Sequence, residues 1–153
     1  MIKTTRAALT ACILGLVPFG AVGTAQAQSG PIDVIEVRQA GQDLLAGSFA
    51  GIATASAANA DLKPFADTAA GMARWARLFP TLFPAGSDKG HDTKAQPAVW
   101  TDRAGFEKAA NTLAEAADKL AVLAKAGDAS GVANQLTVVQ DDCKACHKTF
   151  KKR

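Results

Sequence analysis

The chain has few residues that form disulfides or bind metals. Its 153 residues include three cysteines, two histidines and two methionines. Cys12 lies in an N-terminal segment that we expect to be removed, so a structural framework of disulfides is excluded. No serine–histidine–aspartate set, phosphate-binding loop or paired-carboxylate site stands out in the sequence. We therefore expect a protein that is not an enzyme.

Long apolar runs are also scarce. Basic residues precede a mostly apolar run at 7–22, and a small-x-small cleavage site ends at Ala27, which is the pattern of a bacterial secretory signal peptide. The run contains glycine and proline and is too short for a convincing membrane span. The residues before Cys12 resemble a lipoprotein cleavage box. However, only five residues separate Cys12 from Arg6, which is too few for the apolar region of a signal peptide. We expect cleavage after Ala27, export to the periplasm and one mature domain, 28–153.

An excess of charge is missing as well. Residues 1–27 carry two of the 17 basic residues and none of the 14 acidic ones, so 15 basic and 14 acidic residues remain in the mature chain. No strong basic field is left after cleavage. The charge therefore predicts no nucleic-acid partner and no anionic membrane partner.

Four segments repeat apolar residues at alternating spacings of three and four, which is typical of amphipathic helices. The first segment runs from about 31 to 58, and the other three begin at about 64, 102 and 128. The first carries one stripe made of Ile35, Arg38, Gln42, Leu45, Phe49 and Ile52. The connections are short except for a proline- and glycine-containing loop from 80 to 99. This pattern predicts an all-α, antiparallel four-helix bundle.

The motif that carries chemistry is Cys143-Lys144-Ala145-Cys146-His147. Two cysteines three apart followed by histidine form the attachment signature of c-type haem. On a helix both thiols share one face, so both can add to the vinyl groups of a porphyrin. The adjacent imidazole of His147 then serves as the proximal iron ligand.

Three other interpretations of the motif remain: a redox dithiol, half of a zinc site, or a chance match. A zinc site needs further ligands, and Cys12 and His91 are the only other candidates. A thioredoxin-like dithiol would sit near a βαβ pattern, whereas this sequence shows no strands. If the match were accidental, the bundle would be a haem-free helical adaptor.

Arg38 and Gln42 interrupt the apolar stripe of the first helix, one turn apart. A polar side chain directed into a core needs a partner or costs about 1–3 kcal/mol. A haem would supply that partner, and a guanidinium pairs well with a haem propionate. Alternatively, the stripe is rotated and both side chains face solvent.

The mature chain resembles the class II c-type cytochromes, the cytochrome c-prime family. These are four-helix bundles with the Cys-x-x-Cys-His motif near the end of the last helix. The resemblance covers essentially the whole mature chain and rests on Arg38-Gln39-Ala40, Lys63-Pro64-Phe65, Phe79-Pro80 to Gly86, Pro97-Ala98-Val99-Trp100, and Cys143 to Phe150.

The resemblance implies one covalent haem c per chain inside the bundle, with His147 as the fifth iron ligand. The sixth position faces the first helix and falls on Gln42, where the family usually has methionine, leucine, phenylalanine or tyrosine. Members with methionine there are low-spin electron carriers, and others stay five-coordinate and open to nitric oxide or carbon monoxide. Met72, the only methionine of the mature chain, is expected in the core rather than on iron.

The resulting hypothesis is a periplasmic haem protein that transfers single electrons to and from redox partner proteins. The alternative is a five-coordinate haem module that binds nitric oxide or carbon monoxide. The family commonly pairs through its first two helices, so we also expect a homodimer. Its contact would lie on the small-residue face of the first helix, formed by Gly47, Ala50, Ala53 and Ala57.

Overall fold

The computed structural model describes residues 32–153. The expected signal peptide, with its cleavage site after Ala27, lies outside the described residues. Five α-helices follow in order: α1 (Val34–Ala57), α2 (Ala66–Leu78), α3 (Ala98–Thr101), α4 (Arg103–Ala126) and α5 (Ala129–Phe150). Residues 32–153 contain no β-strand, only one isolated bridge between Ala95 and Lys151.

The four long helices form the antiparallel bundle that the sequence predicts. α2 packs closely against α4 and α4 against α5, whereas α1 contacts α2 and α5 more loosely. This arrangement places α2 diagonally across the bundle from α5. One apolar core of alanine, leucine, isoleucine and valine side chains from all four helices joins them. In this part of the chain no helix is long and apolar enough to cross a membrane.

The ends of the helices follow from local chemistry. The carboxylates of Asp33, Asp102 and Asp128 accept hydrogen bonds from the first free backbone N–H groups of α1, α4 and α5. Gly127 ends α4 in the left-handed conformation, at φ +71°, which a residue without Cβ adopts at little cost. α4 and α5 thus begin where the sequence predicts, directly after residues 102 and 128.

Two boundaries differ from the sequence prediction. The second helix opens with a 3₁₀ turn at Lys63–Phe65 and closes with another at Phe79–Leu82, each containing a proline near its start. The short helix α3 was not predicted, because four residues are too few to show a helical period.

The stripe predicted for α1 faces the interior. Ile35, Arg38 and Ile52 are buried, so the alternative in which Arg38 points to solvent is wrong. The middle of the stripe, from Gln42 to Phe49, is only half-buried, because it borders a cavity and not packed protein.

The long loop before α3 is held against the C-terminal end of α5. The backbone N–H of Gln96 donates to the Phe150 carbonyl at 2.9 Å, and that of Lys152 donates to the Lys94 carbonyl at 2.7 Å. The Gln96 side chain also donates to the Lys151 carbonyl. The loop is therefore attached directly to the end of α5 that carries the two cysteines.

Candidate haem site

A cavity of about 520 Å³ lies between the long helices. Its walls are mainly apolar and include Leu45, Phe49, Met72, Ala76, Phe79, Phe106, Leu113 and Phe150. Cofactor pockets generally occupy about 300–1,000 Å³ and combine apolar walls with a few polar groups. The cavity is therefore suited in size and character to a planar apolar cofactor.

The residues of the Cys-x-x-Cys-His motif lie at this cavity. Cys143 and Cys146 are half-buried on one face of α5, and no disulfide joins them. Burial raises the pKa of both thiols, that of Cys146 to about 11. This differs from the lowered pKa that is typical of reactive dithiols.

His147 follows Cys146 and lines the cavity at its solvent-exposed edge. Burial, and next the charge of Lys151, lower the pKa of His147. The lowered pKa favours the neutral imidazole, which is the form that binds a metal. The structure thus brings both predicted thioether residues and the predicted iron ligand to one wall.

Arg38 is buried, with 3% of its surface exposed, and its guanidinium is directed toward the loop before α3. Nη1 donates to the Leu82 carbonyl and to Oγ of Ser87, and Nη2 donates to the Ser87 carbonyl at 2.7 Å and to Oγ1 of Thr93 at 2.8 Å. Desolvation lowers the pKa of Arg38, and the Asp33 charge partly opposes this. Four of its five N–H groups are therefore engaged in holding the loop.

Gln42 and Met72 border the same cavity from α1 and α2. Met72 is 3% exposed and belongs to the apolar core, in agreement with its predicted packing role. Gln42 is half-buried, so its amide reaches the cavity without being enclosed in the core. The structure thus places an amide and a thioether near the position where a sixth ligand would be sought.

Two other sequence candidates lie elsewhere. His91 is exposed, and its Nε2 lies 2.6 Å from Oδ2 of Asp33 at the start of α1. Trp100, which belongs to one of the segments that carry the family resemblance, does not line the cavity. Its indole donates to the Pro84 carbonyl, and its ring packs at an angle against Phe83.

Sequence reasoning missed the role of Trp75 in the cavity wall. Its Nε1 is buried and has no hydrogen-bond partner in the structure. A buried donor of this kind normally has a partner, so an acceptor is expected next to it. A cofactor with carboxylates, or a polar group reoriented by it, meets this requirement. The local signal was Gly41, a glycine inside α1 that allows the indole to approach closely.

The comparisons with known proteins agree with the geometry. The model of the cytochrome c′ family matches residues 33–151. Cytochrome c′ of Rubrivivax gelatinosus is 39% identical over 125 residues, which are 80% of this chain and 97% of that protein. Cytochrome c-556 of Agrobacterium tumefaciens (strain B2A) is 39% identical over 77 residues, which are 50% of this chain and 60% of that protein.

Solved structures show the same architecture. The crystal structure of the Rubrivivax gelatinosus protein superposes with a TM-score of 0.70 over 78% of this chain and 95% of that one, at 39% identity. A nitric oxide complex of a cytochrome c prime variant from Alcaligenes xylosoxidans gives a TM-score of 0.71 at 25% identity, covering 82% of this chain and 98% of that one. With a family model that spans nearly all described residues, and with both cysteines at the cavity wall, the chain belongs to the cytochrome c′ family and is a haem protein with covalently bound haem c.

Proposed function

We propose that this protein is a periplasmic carrier of single electrons, with haem c held by Cys143, Cys146 and His147. When bound, the haem supplies one-electron chemistry between ferric and ferrous iron. The chain supplies an apolar enclosure, the imidazole of His147 and a fixed orientation of the haem. We treat it as a carrier and not as an enzyme, because the cavity walls are mainly apolar and offer few groups that could transfer protons.

The observation that carries this proposal is the position of His147. It lies at the exposed edge of the cavity, so a cofactor bound there would come close to solvent on one side. Lys148 and Lys151 lie on the same segment and are exposed. Such a positively charged surface favours encounter with an acidic partner protein, which is the partner that we propose for electron exchange.

The periplasmic location rests on the first 27 residues, which have the pattern of a secretory signal. Export is also what haem attachment to this motif requires. N-terminal sequencing of the protein from a periplasmic fraction should begin at Gln28. Recovery of the full-length chain from the cytoplasm would contradict this part of the proposal.

Electron exchange is tested with the ferrous holoprotein and hexacyanoferrate(III), an anionic oxidant that stands in for an acidic partner. We expect rapid second-order oxidation that slows with rising ionic strength. Lys148→Glu should slow it several-fold, because the charge lies next to His147. Lys125→Glu, at the far end of α4, is the matched control and should have little effect. Equal effects of the two variants would contradict the exchange surface.

A second function, binding of nitric oxide or carbon monoxide, is favoured by Gln42 in the cavity wall. An amide is a poor ligand for ferrous haem compared with a thioether or an imidazole. Nitric oxide and carbon monoxide complexes are known for structurally similar proteins from Alcaligenes xylosoxidans, at 25% identity. We therefore propose a largely five-coordinate, high-spin ferrous state that accepts a diatomic ligand.

The spin state tests the second function. Electron paramagnetic resonance and ferrous absorption spectra should show high spin in the unmodified protein. Gln42→Met should convert it to low spin, and Gln42→Leu should change ligand affinity while leaving the fold intact. A protein that is fully low-spin, and stays so in Gln42→Leu, would show that another residue binds the iron, and Met72 would be the first candidate.

We also propose that the protein forms a homodimer through α1. Gly47, Ala50 and Ala57 are exposed, Ala53 is half-buried, and the adjacent Leu44 is 74% exposed. Small residues allow two helices to approach closely, and a leucine on the same face can then be buried. Sedimentation equilibrium of the holoprotein should give a dimer at micromolar concentration.

Leu44→Glu should dissociate the dimer. Val122→Glu, at an equally exposed apolar residue on α4, is the matched control and should not. A monomer in the unmodified protein would rule the dimer out.

A further inference from the structure

Trp75, which lines the cavity, has a hydrogen-bond donor without a partner. Trp75 projects from α2, and its Nε1 is buried without a partner. A buried donor left unpaired costs about 1–3 kcal/mol. The protein therefore gains stability if a group in the filled cavity accepts this hydrogen bond.

Close packing against Gly41 fixes where the donor lies. A Cβ atom on Gly41 would overlap Cζ2 and Cη2 of Trp75, and it would lie 2.7 Å from Cε2. The six-membered ring of the indole therefore packs against α1 at residue 41, and Nε1, which is bonded to Cε2, lies close to this contact. The next residue of α1 is Gln42, whose side chain lines the same cavity.

The Gln42 amide is also available for a hydrogen bond. Among residues 32–153, the side chains of the other glutamines form hydrogen bonds and that of Gln42 forms none; the others are Gln39, Gln96, Gln135 and Gln140. An amide has one oxygen that accepts and one NH₂ that donates, whereas an indole only donates. The two side chains can therefore pair in only one way: the indole N–H donates to the amide oxygen, and the NH₂ group stays free.

We propose that Trp75 is a positioning residue for Gln42. Its indole N–H donates to Oε1 of Gln42 and thereby turns the amide N–H groups toward a diatomic ligand in the cavity. This inference rests on the second function proposed above and adds a hydrogen-bond donor to it. The site would then prefer ligands that can accept a hydrogen bond, and Gly41 would be the residue that makes room for the arrangement.

The first test observes the indole directly, in ¹⁵N–¹H spectra of the ferrous holoprotein with carbon monoxide. The chain has two tryptophans, Trp75 and Trp100, whose signals are assigned with Trp→Phe variants. Gln42→Leu should move the Trp75 signal upfield, because its acceptor is removed. The Trp100 indole donates to Pro84 outside the cavity, so its signal should stay in place. A Trp75 signal that does not respond to Gln42→Leu would overturn the proposal.

The second test measures the rate at which carbon monoxide dissociates. Trp75→Phe should speed dissociation about two- to tenfold, which corresponds to weakening one hydrogen bond. The effect should vanish in the Gln42→Leu background, and Trp100→Phe should have none. An effect of Trp75→Phe that persists without Gln42 would refute the positioning role while leaving gas binding intact.

A ferrous protein that binds no carbon monoxide would instead contradict the second function. The indole signal is then read in the ferrous protein itself. Its response to Gln42→Leu decides whether Trp75 pairs with that residue.

Discussion

The guanidinium of Arg38 lies 4.3 Å from the centre of the Phe83 ring, so a buried cation rests on an aromatic face. The same guanidinium donates four hydrogen bonds to the loop that carries Phe83. Arg38 of α1 therefore orders a loop whose other end is hydrogen-bonded to the C-terminal end of α5.

Arg38→Met should destabilise the holoprotein by about 2–4 kcal/mol, since each buried acceptor that loses its donor costs about 1–3 kcal/mol. The free energy of unfolding in urea measures this loss. Arg77→Met is the matched control, because Arg77 pairs with Asp118 at a half-exposed site. There the loss should stay below about 1 kcal/mol. Equal losses would mean that Arg38 does not order the loop.

Gly41→Ala should also destabilise the protein, by about 1–3 kcal/mol, because the new methyl group overlaps the Trp75 indole. Gly71→Ala, inside α2, meets only Arg74 at 3.7 Å. It should stabilise the protein by up to about 1 kcal/mol through helix propensity. Urea unfolding of both variants checks the difference.

The control for Gly41→Ala is the same substitution in a protein that already carries Trp75→Leu. In that protein Gly41→Ala should lower the free energy of unfolding by less, since the overlapping ring is gone. A penalty that stays unchanged would place the strain elsewhere.

Stability should depend on pH through Asp128. Its carboxylate accepts hydrogen bonds from the Gly131 backbone N–H and the Ser130 hydroxyl, which lower its pKa. The folded-state pKa is below the unfolded value, so the stabilisation is complete above about pH 4 and is lost as the pH falls through the folded-state pKa. The midpoint of thermal unfolding should therefore fall at acid pH.

Asp128→Asn isolates this contribution, because asparagine also caps a helix but does not titrate. The variant should be close to the unmodified protein below the carboxyl pKa and show a shallower dependence on pH. Identical pH profiles would exclude a contribution from Asp128.

Cys143→Ala and Cys146→Ala should each leave one thioether bond, and the double variant should hold no covalent haem. These are the only cysteines in residues 28–153, so no other thiol can substitute. Pyridine haemochrome spectra after acid–acetone extraction measure the covalent haem. Covalent haem in the double variant would show that the cavity binds it through other residues.

The long helices could be predicted because the information is local. Asp102 and Asp128 precede apolar periods that last for more than twenty residues. The motif at Cys143 is equally local. α3 was missed because four residues show no period, and the prolines and glycines of residues 80–99 suggested a loop.

The partners of Arg38 could not be predicted from its neighbours. They lie 44 to 55 residues further along the chain and become adjacent only when the loop folds over α1. The unpaired donor of Trp75 is hidden for the same reason, since it is created by contact between two helices. Sequence patterns identify which residues face inward, and the tertiary fold decides what each of them meets.

The hydrogen bonds between the loop and residues 150–152 have a consequence for the order of assembly. A chain is synthesised from its N-terminus onward, so the Phe150 carbonyl and the Lys152 N–H, which fasten the loop, follow Cys143, Cys146 and His147 in the order of synthesis. The loop can therefore be fastened only after the three residues of the motif have been made.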